Sequence, residues 1–150
     1  KQRHLDRIMN SQDIESEFTS KTYTSRDLRL SDPKWLEIWP QIRDDYGCET
    51  GLCLEISCTY RSPKAQNDIW KMAATKGIWL TDFDGIEKLS VHNIFPSKAL
   101  DVYPHMAGKI MPIWDIDVFE PIGKLAEKYG LRWGGNWSGK KKDRPHLELP

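Results

Sequence analysis

The side chains able to bind a metal or move a proton are few in this chain. There are four histidines: His4, His92, His105 and His146. Catalytic zinc takes three protein ligands of the histidine and carboxylate type and leaves one position for water. His4 lies in a polar N-terminal stretch and is a poor ligand candidate. His92 sits in Ser90-Val91-His92-Asn93, ahead of a loop that leads to Asp101, nine positions on (101 − 92 = 9). His146 closes Asp143-Arg144-Pro145-His146. An acid three positions before a metal ligand can serve as base toward a water at the metal. Taken alone, these spacings leave plainer readings open. Asp101 would then be a local cap or ion-pair partner, His92 a surface residue and Asp143 a loop aspartate.

Cys48, Cys53 and Cys58 complete the set of possible soft ligands. No CxxC pair exists, and a zinc site built on Cys48 and Cys53 would need two further ligands nearby, so none is expected. An odd count without a signal peptide points to free thiols in a reducing compartment.

These residues need a scaffold, and the chain is long enough for one. Its 150 residues suit a single domain over 1–150, with 1–20 read as a short helix or loose arm. Hydrophobic residues at 39% and charged residues at 29% exclude the disordered and membrane classes. The stretch Lys1 to Phe18 has no apolar h-region, so no secretory signal is visible, and no segment is apolar enough to insert in a bilayer. Lysine plus arginine equals aspartate plus glutamate at 22 each, which gives no support for a nucleic-acid partner. The one cationic cluster, Lys140-Lys141-Lys142, reads as a solvated loop.

Ser31-Asp32-Pro33 marks a helix start, followed by Trp35, Leu36, Ile38, Trp39 and Ile42 at helical spacing. Pro40 should disturb that helix and Gly47 should close it. Residues 52–60 alternate, with Leu52, Leu54, Ile56, Cys58 and Tyr60 on one face and Glu55, Ser57 and Thr59 on the other, as in a half-buried strand. Ser62-Pro63 starts a second helix that Gly77 stops. Residues 78–98 read as loop, with a turn at Asp84-Gly85. Ala99 to Tyr103 is a short strand. Asp115 or Asp117 caps a third helix whose stripe is Phe119, Ile122, Leu125 and Ala126, ended by Gly130. Leu131 to Trp133 and His146 to Leu149 are two more short strands. Without regular βαβ alternation the class is α+β. Of the seven tryptophans, Trp35, Trp39 and Trp70 look like core. The paired glycines of Trp133-Gly134-Gly135-Asn136-Trp137 suggest a backbone bent tightly beside bulky rings.

Three blocks, in order, carry a family resemblance. Ser90-Val91-His92-Asn93-Ile94-Phe95-Pro96-Ser97-Lys98-Ala99-Leu100-Asp101 resembles the metal motif of the D-alanyl-D-alanine carboxypeptidase and L-alanyl-D-glutamate endopeptidase family (peptidase M15), closest to the HNxxPSxAxD form of its phage endolysin branch. Trp133-Gly134-Gly135-Asn136-Trp137 followed by Asp143-x-x-His146-x-Glu148 is similar to that family's WGGDW and DxxHxE signature. Thr59-Tyr60-Arg61-Ser62 with Gln66 resembles its YRS…Q segment. Two departures stand out. The His92–Asp101 loop is two residues longer than in the commoner SxHxxGxAxD form, with Ser97 at the usual glycine, and Asn136 replaces an aspartate, which keeps the hydrogen-bonding shape and drops a charge.

The resemblance implies a small Hedgehog/DD-peptidase-like domain, with a short antiparallel sheet flanked by helices. It implies one zinc ion on His92, Asp101 and His146. Asp143 would move the proton and Arg61 would stabilise the oxyanion. Ser90 and Glu148 would orient the ligands, and Trp133 and Trp137 would shape a groove for a peptide stem. His105 could line that groove but reads as a surface residue, and Gln66 would brace Arg61. The implied activity is hydrolysis of peptidoglycan stem peptides by a monomeric bacteriophage endolysin. It would accumulate in the host cytoplasm and reach the wall after membrane permeabilisation. The alternatives are a D-alanyl-D-alanine carboxypeptidase, a virion-associated lysin, and a zinc-containing wall-binding module without activity.

Overall fold

The computed structural model describes residues 22–150. The expectations for residues 1–20 and for His4 lie outside the described residues. Asp32 opens helix α1 (Pro33–Thr50) by accepting from the Lys34 backbone N–H, with Pro33 in the first turn. The helix runs through Pro40, which lies on the solvent side beside half-exposed Leu36, where water can replace the missing donor. It also passes Gly47, contrary to expectation, and ends at Gly51. Gly51 takes the left-handed conformation (φ 73°) and donates its N–H to the Gly47 carbonyl, the usual reason a helix stops at glycine.

Strand β1 (Cys53–Cys58) follows, then helix α2 (Pro63–Thr75), strand β2 (Ala99–His105), helix α3 (Ile116–Lys128), strand β3 (Arg132–Trp133) and strand β4 (His146–Glu148). Ser62 caps α2 by accepting from the Ala65 N–H. Asp115 sits at the start of α3 but makes no side-chain cap bond. The four strands form one antiparallel sheet in the order β1-β2-β4-β3.

The helices α1 and α3 cover one side of this sheet. Trp35, Ile38, Trp39, Ile42 and Tyr46 of α1 meet Phe119, Ile122, Leu125 and Ala126 of α3, above Leu54, Leu100, Val102 and Leu147 of the strands. Each fully buried side chain of this kind is worth about 1.5–3 kcal/mol, so the two helices and the sheet hold one another in place. Trp70, expected in the core, is 41% exposed on α2, which does not cover the sheet.

The strand period of two does the rest. On β2, Leu100 and Val102 face the helices, so Asp101 faces the opposite side. On β4, Leu147 faces the helices, so His146 and Glu148 do not. A register shift between Ile56 and Cys58 breaks the alternation of β1 and brings Cys58 level with Asp101. It also leaves Thr59, expected on the exposed face, fully buried.

Candidate metal centre and active site

Pairing across the sheet sets a row of three residues: Cys58 on β1 opposes Asp101 on β2, which opposes His146 on β4. Directly opposite residues have Cβ atoms about 4.5–5.5 Å apart, close enough for their side chains to share a ligand. His92 comes from outside the sheet, on a single 3₁₀ turn, Val91–Asn93. Ser90 caps that turn: its Oγ accepts from the His92 N–H, and its own N–H donates to Asn93 Oδ1 at 2.8 Å. Asn93 Nδ2 donates to the Arg61 carbonyl, and the Arg61 N–H donates to the His92 carbonyl, both at 2.9 Å. The turn is thus laced to the chain leaving β1.

The tautomers follow from the partners. His92 Nδ1 lies 2.7 Å from the Thr59 carbonyl, which can only accept, so Nδ1 carries the hydrogen. The lone pair of the neutral ring is then at Nε2, 3.1 Å from Asp101 Oδ1. His146 Nε2 donates to the Glu148 carboxylate at 3.3 Å, which turns the Nδ1 lone pair toward the same Asp101 oxygen, 3.2 Å away. Three electron-pair donors so arranged repel one another unless a cation lies among them. In a tetrahedral zinc site with bonds of about 2.0–2.1 Å, neighbouring donor atoms stand about 3.3–3.4 Å apart. The two spacings to Asp101 Oδ1 fall just below that, and the other nitrogen of each imidazole is already committed. Each imidazole thus stands from Asp101 Oδ1 at a spacing that suits zinc.

Without metal, protons fill the role. Burial disfavours a charged His92, but the Asp101 carboxylate outweighs it and pushes the imidazole up to about 10. Burial also opposes the charged forms of Asp101 and His146. The two imidazoles nevertheless hold Asp101 well below the usual carboxylate range, and Asp101 and Glu148 raise His146. The hydrogen bond to His146 lowers Glu148.

Two sets of donor atoms lie within 4.8 Å of one another, and both contain Asp101: Cys58-His92-Asp101, and Asp101-Asp143-His146. Asp101 is common to both sets, His92 shares one with Cys58 and His146 shares the other with Asp143, and the two histidines do not fall in one set. Burial, then the negative charge of Asp101, raises the Asp143 carboxyl, which suits a group that must take up and give back a proton. Asp143 is placed by its backbone: its N–H donates to the Gly134 carbonyl at 2.9 Å. A Cβ on Gly134 would meet the Asp143 carbonyl oxygen at 2.2 Å, and one on Gly135 would meet the Trp133 ring at 2.2 Å. Both glycines of the Trp-Gly-Gly segment are thus required by close approach.

Arg61 lies half-buried beside the metal-facing groups. Its Nη1 donates to Gln66 Oε1 at 3.0 Å, the brace expected of Gln66, and its Nη2 stands 3.8 Å from Asp101 Oδ2. Its buried Nε has no partner among the described residues. Trp137 packs its ring 4.9 Å from that of His146 and borders the cavity. Trp133 instead belongs to the core. Its ring packs against Gly135, and its Nε1 donates to the Arg144 carbonyl at 2.8 Å and so steadies the approach to His146. His105 sits at the far end of β2, against Glu55 and the Met106 carbonyl, away from this group.

Sequence reasoning passed over Thr59 and Cys58. Thr59 acts through its backbone carbonyl, which no residue type announces. All three cysteines are free. Buried Cys58 has its Sγ 3.7 Å from His92 Nδ1 and 3.6 Å from Arg61 Nη2. Its place just before Thr59-Tyr60-Arg61 was the available signal.

These groups open into a cavity of about 940 Å³. One wall carries Arg61, Ser90, His92, Asp101, Asp143 and His146, and the other is the loop containing Trp79 to Phe83 with the turn containing Lys140 to Lys142. It is large enough for several residues of an extended peptide.

Fold and site define a metal-dependent peptidase that cleaves peptidoglycan. The chain belongs to the D-alanyl-D-alanine carboxypeptidase family, whose pattern residues 62–149 match. Its fold is similar to that in the crystal structure of the Serratia marcescens L-Ala D-Glu endopeptidase ChiX, with a TM-score of 0.56 and 21% identity over 85% of this chain and 89% of that one. No curated protein sequence gives a significant match.

Proposed function

We propose that this chain is a zinc endopeptidase that cuts the L-alanyl-D-glutamate bond of peptidoglycan stem peptides. The observation that carries the metal assignment is Asp101 Oδ1, set between the lone pairs of His92 Nε2 and His146 Nδ1. Zinc, when bound there, makes a water acidic near neutral pH and polarises the scissile carbonyl. Asp143 accepts the proton of the attacking water and delivers it to the leaving nitrogen. Arg61, held by Gln66 and with Nε unspent, is the donor for the developing oxyanion. Ser90 and Thr59 hold His92 in orientation, and Glu148 does the same for His146.

The choice of bond is supported by the fold likeness to an L-Ala D-Glu endopeptidase. The HNxxPSxAxD form of the metal loop supports a bacteriophage endolysin: a monomeric single-domain peptidase over 1–150, Hedgehog/DD-peptidase-like, with no nucleic-acid partner. It would act from the host cytoplasm once the membrane is permeabilised. No helix among the described residues is long and apolar enough to cross a membrane.

The test is digestion of purified peptidoglycan with and without a chelator, reading the released termini by mass spectrometry. New D-glutamate amino termini, lost on chelation and restored by zinc, are expected. Released D-alanine instead would move the chain to the carboxypeptidase branch. No product from any wall would leave the inactive wall-binding module.

A further inference from the structure

The three lysines of the 140–142 run line the cavity, yet they do not share one environment. Lys140 places its ammonium 5.3 Å over the Trp79 ring. Lys141 forms an ion pair with Asp82 Oδ2 at 2.8 Å, and Asp82 is held in turn by Trp79 Nε1 at 2.8 Å. These contacts tie the turn Gly139–Lys141 to the loop containing Trp79 to Phe83. Lys142 has no ion-pair or ring partner among the described residues. Its backbone is nonetheless set, since its N–H donates to the Gly139 carbonyl and the next residue, Asp143, is bonded to Gly134. The result is an unneutralised cation on the cavity wall, one residue from the group that serves the leaving nitrogen.

That juxtaposition has a chemical counterpart in the substrate. In a stem peptide continued through the γ-carboxyl of D-glutamate, the leaving nitrogen sits on the carbon that bears the free α-carboxylate. In a D-alanyl-D-alanine substrate the leaving nitrogen sits on the carbon that bears the terminal carboxylate. Either way an anion stands one carbon from the nitrogen that Asp143 protonates, unless that carboxyl is amidated. We propose that Lys142 is a specificity-determining residue that binds the α-carboxylate of the residue on the leaving side of the scissile bond. The inference rests on the peptidase reading above, and it holds for either bond. Lys140 and Lys141 do not contribute, because Trp79 and Asp82 already occupy them. An amide at the same place offers no charge, so the site selects the free acid.

The experiment uses the zinc-loaded full chain and two synthetic stem peptides, identical except for a carboxylate or a carboxamide on the leaving residue. The wild type is expected to favour the acid in kcat/KM by roughly ten- to a hundredfold, the range of a hydrogen bond to a charged group. Raising the salt concentration should shrink that ratio. Lys142→Met should bring it close to one and Lys142→Arg should keep it, while Lys140→Met and Lys141→Met retain the preference. Equal cleavage of both peptides by wild type overturns the inference and leaves the peptidase reading standing. So does a preference that survives Lys142→Met, or one lost only in Lys141→Met. Cleavage of neither peptide, with zinc bound, overturns the peptidase reading and this inference with it.

Discussion

Glu148 makes no contact with the expected position of the metal, yet its removal should weaken metal binding. Its Oε2 accepts the Nε2 hydrogen of His146 at 3.3 Å, and this bond turns the Nδ1 lone pair toward Asp101. Glu148 is only 8% exposed, so water does not readily replace it. Glu148→Ala removes both the acceptor and the negative charge behind the imidazole. The ring is then free to adopt the other tautomer and donates less electron density. Loss of such a partner costs about 10–100-fold in metal affinity, or about 1.4–2.7 kcal/mol. Glu148→Gln keeps an acceptor oxygen but not the charge, so it should fall near the tenfold end. One effect opposes the loss. Glu148 also helps to keep a proton on His146 in the metal-free protein, so its removal lowers the competition from protons. Measurements at high pH, where that competition fades, should therefore show the larger deficit. The assay is competitive zinc titration against a chelator of known affinity, with tryptophan near-UV circular dichroism to verify folding. Wild-type affinity in folded Glu148→Ala would refute the reasoning and reduce Glu148 to a bystander.

Asp143→Ala should keep its zinc, measured by elemental analysis, and lose on the order of 10² or more in turnover on peptidoglycan. Because Asp101 pushes His92 up to about 10, zinc binding at neutral pH must expel the His92 proton. Apparent affinity should rise with pH, and calorimetry in buffers of different ionisation enthalpy should detect protons released. The same raised value sets the metal-free stability. The His92 contribution is fully present below its unfolded value of 6.5 and is lost as pH climbs through about 10, so chelated protein should melt lower across that window. Gly134→Ala drives a methyl group into the Asp143 carbonyl, so it should cost about 1–3 kcal/mol in thermal unfolding and lower activity beyond what the lost stability explains.

The residues that would do the chemistry were legible because short motifs carry them: His92, Asp101, Asp143 and His146 fall in two blocks, although their meeting depends on pairing between distant strands. Helix starts were legible for the same reason. Ser62 and Asp32 cap the helices they precede, and Pro33 and Pro63 begin them. What depended on distant pairing was not. The register shift that brings Cys58 level with Asp101 belongs to β1 and β2 together, and nothing within residues 52–60 announces it. Trp70 read as core from its residue type, but the sequence could not reveal that it stays 41% exposed among the described residues. Gly47 and Gly51 are equivalent to a reader of sequence, and only the positive φ of Gly51 separates them. Lys140 to Lys142 are exposed, as a solvated loop would be, but the contacts of Lys140 and Lys141 with Trp79 and Asp82 were not legible, because those partners lie some sixty residues earlier. Trp133 was grouped with Trp137 as a groove residue, whereas one ring lies in the core and the other at the cavity.

The two-sided sheet ties the reliability of the chemistry to the quality of the core. Leu100 and Leu147 are neighbours across the same strands as Asp101 and His146, one position out of phase. A slip of β4 by one residue against β2 would send His146 and Glu148 into the oil and Leu147 into the water. Such a chain could neither hold itself together nor hold an ion, so no stable but misassembled population should accumulate. Proofreading of the site is built into the act of folding, and protein that survives purification should be uniformly competent to take up metal.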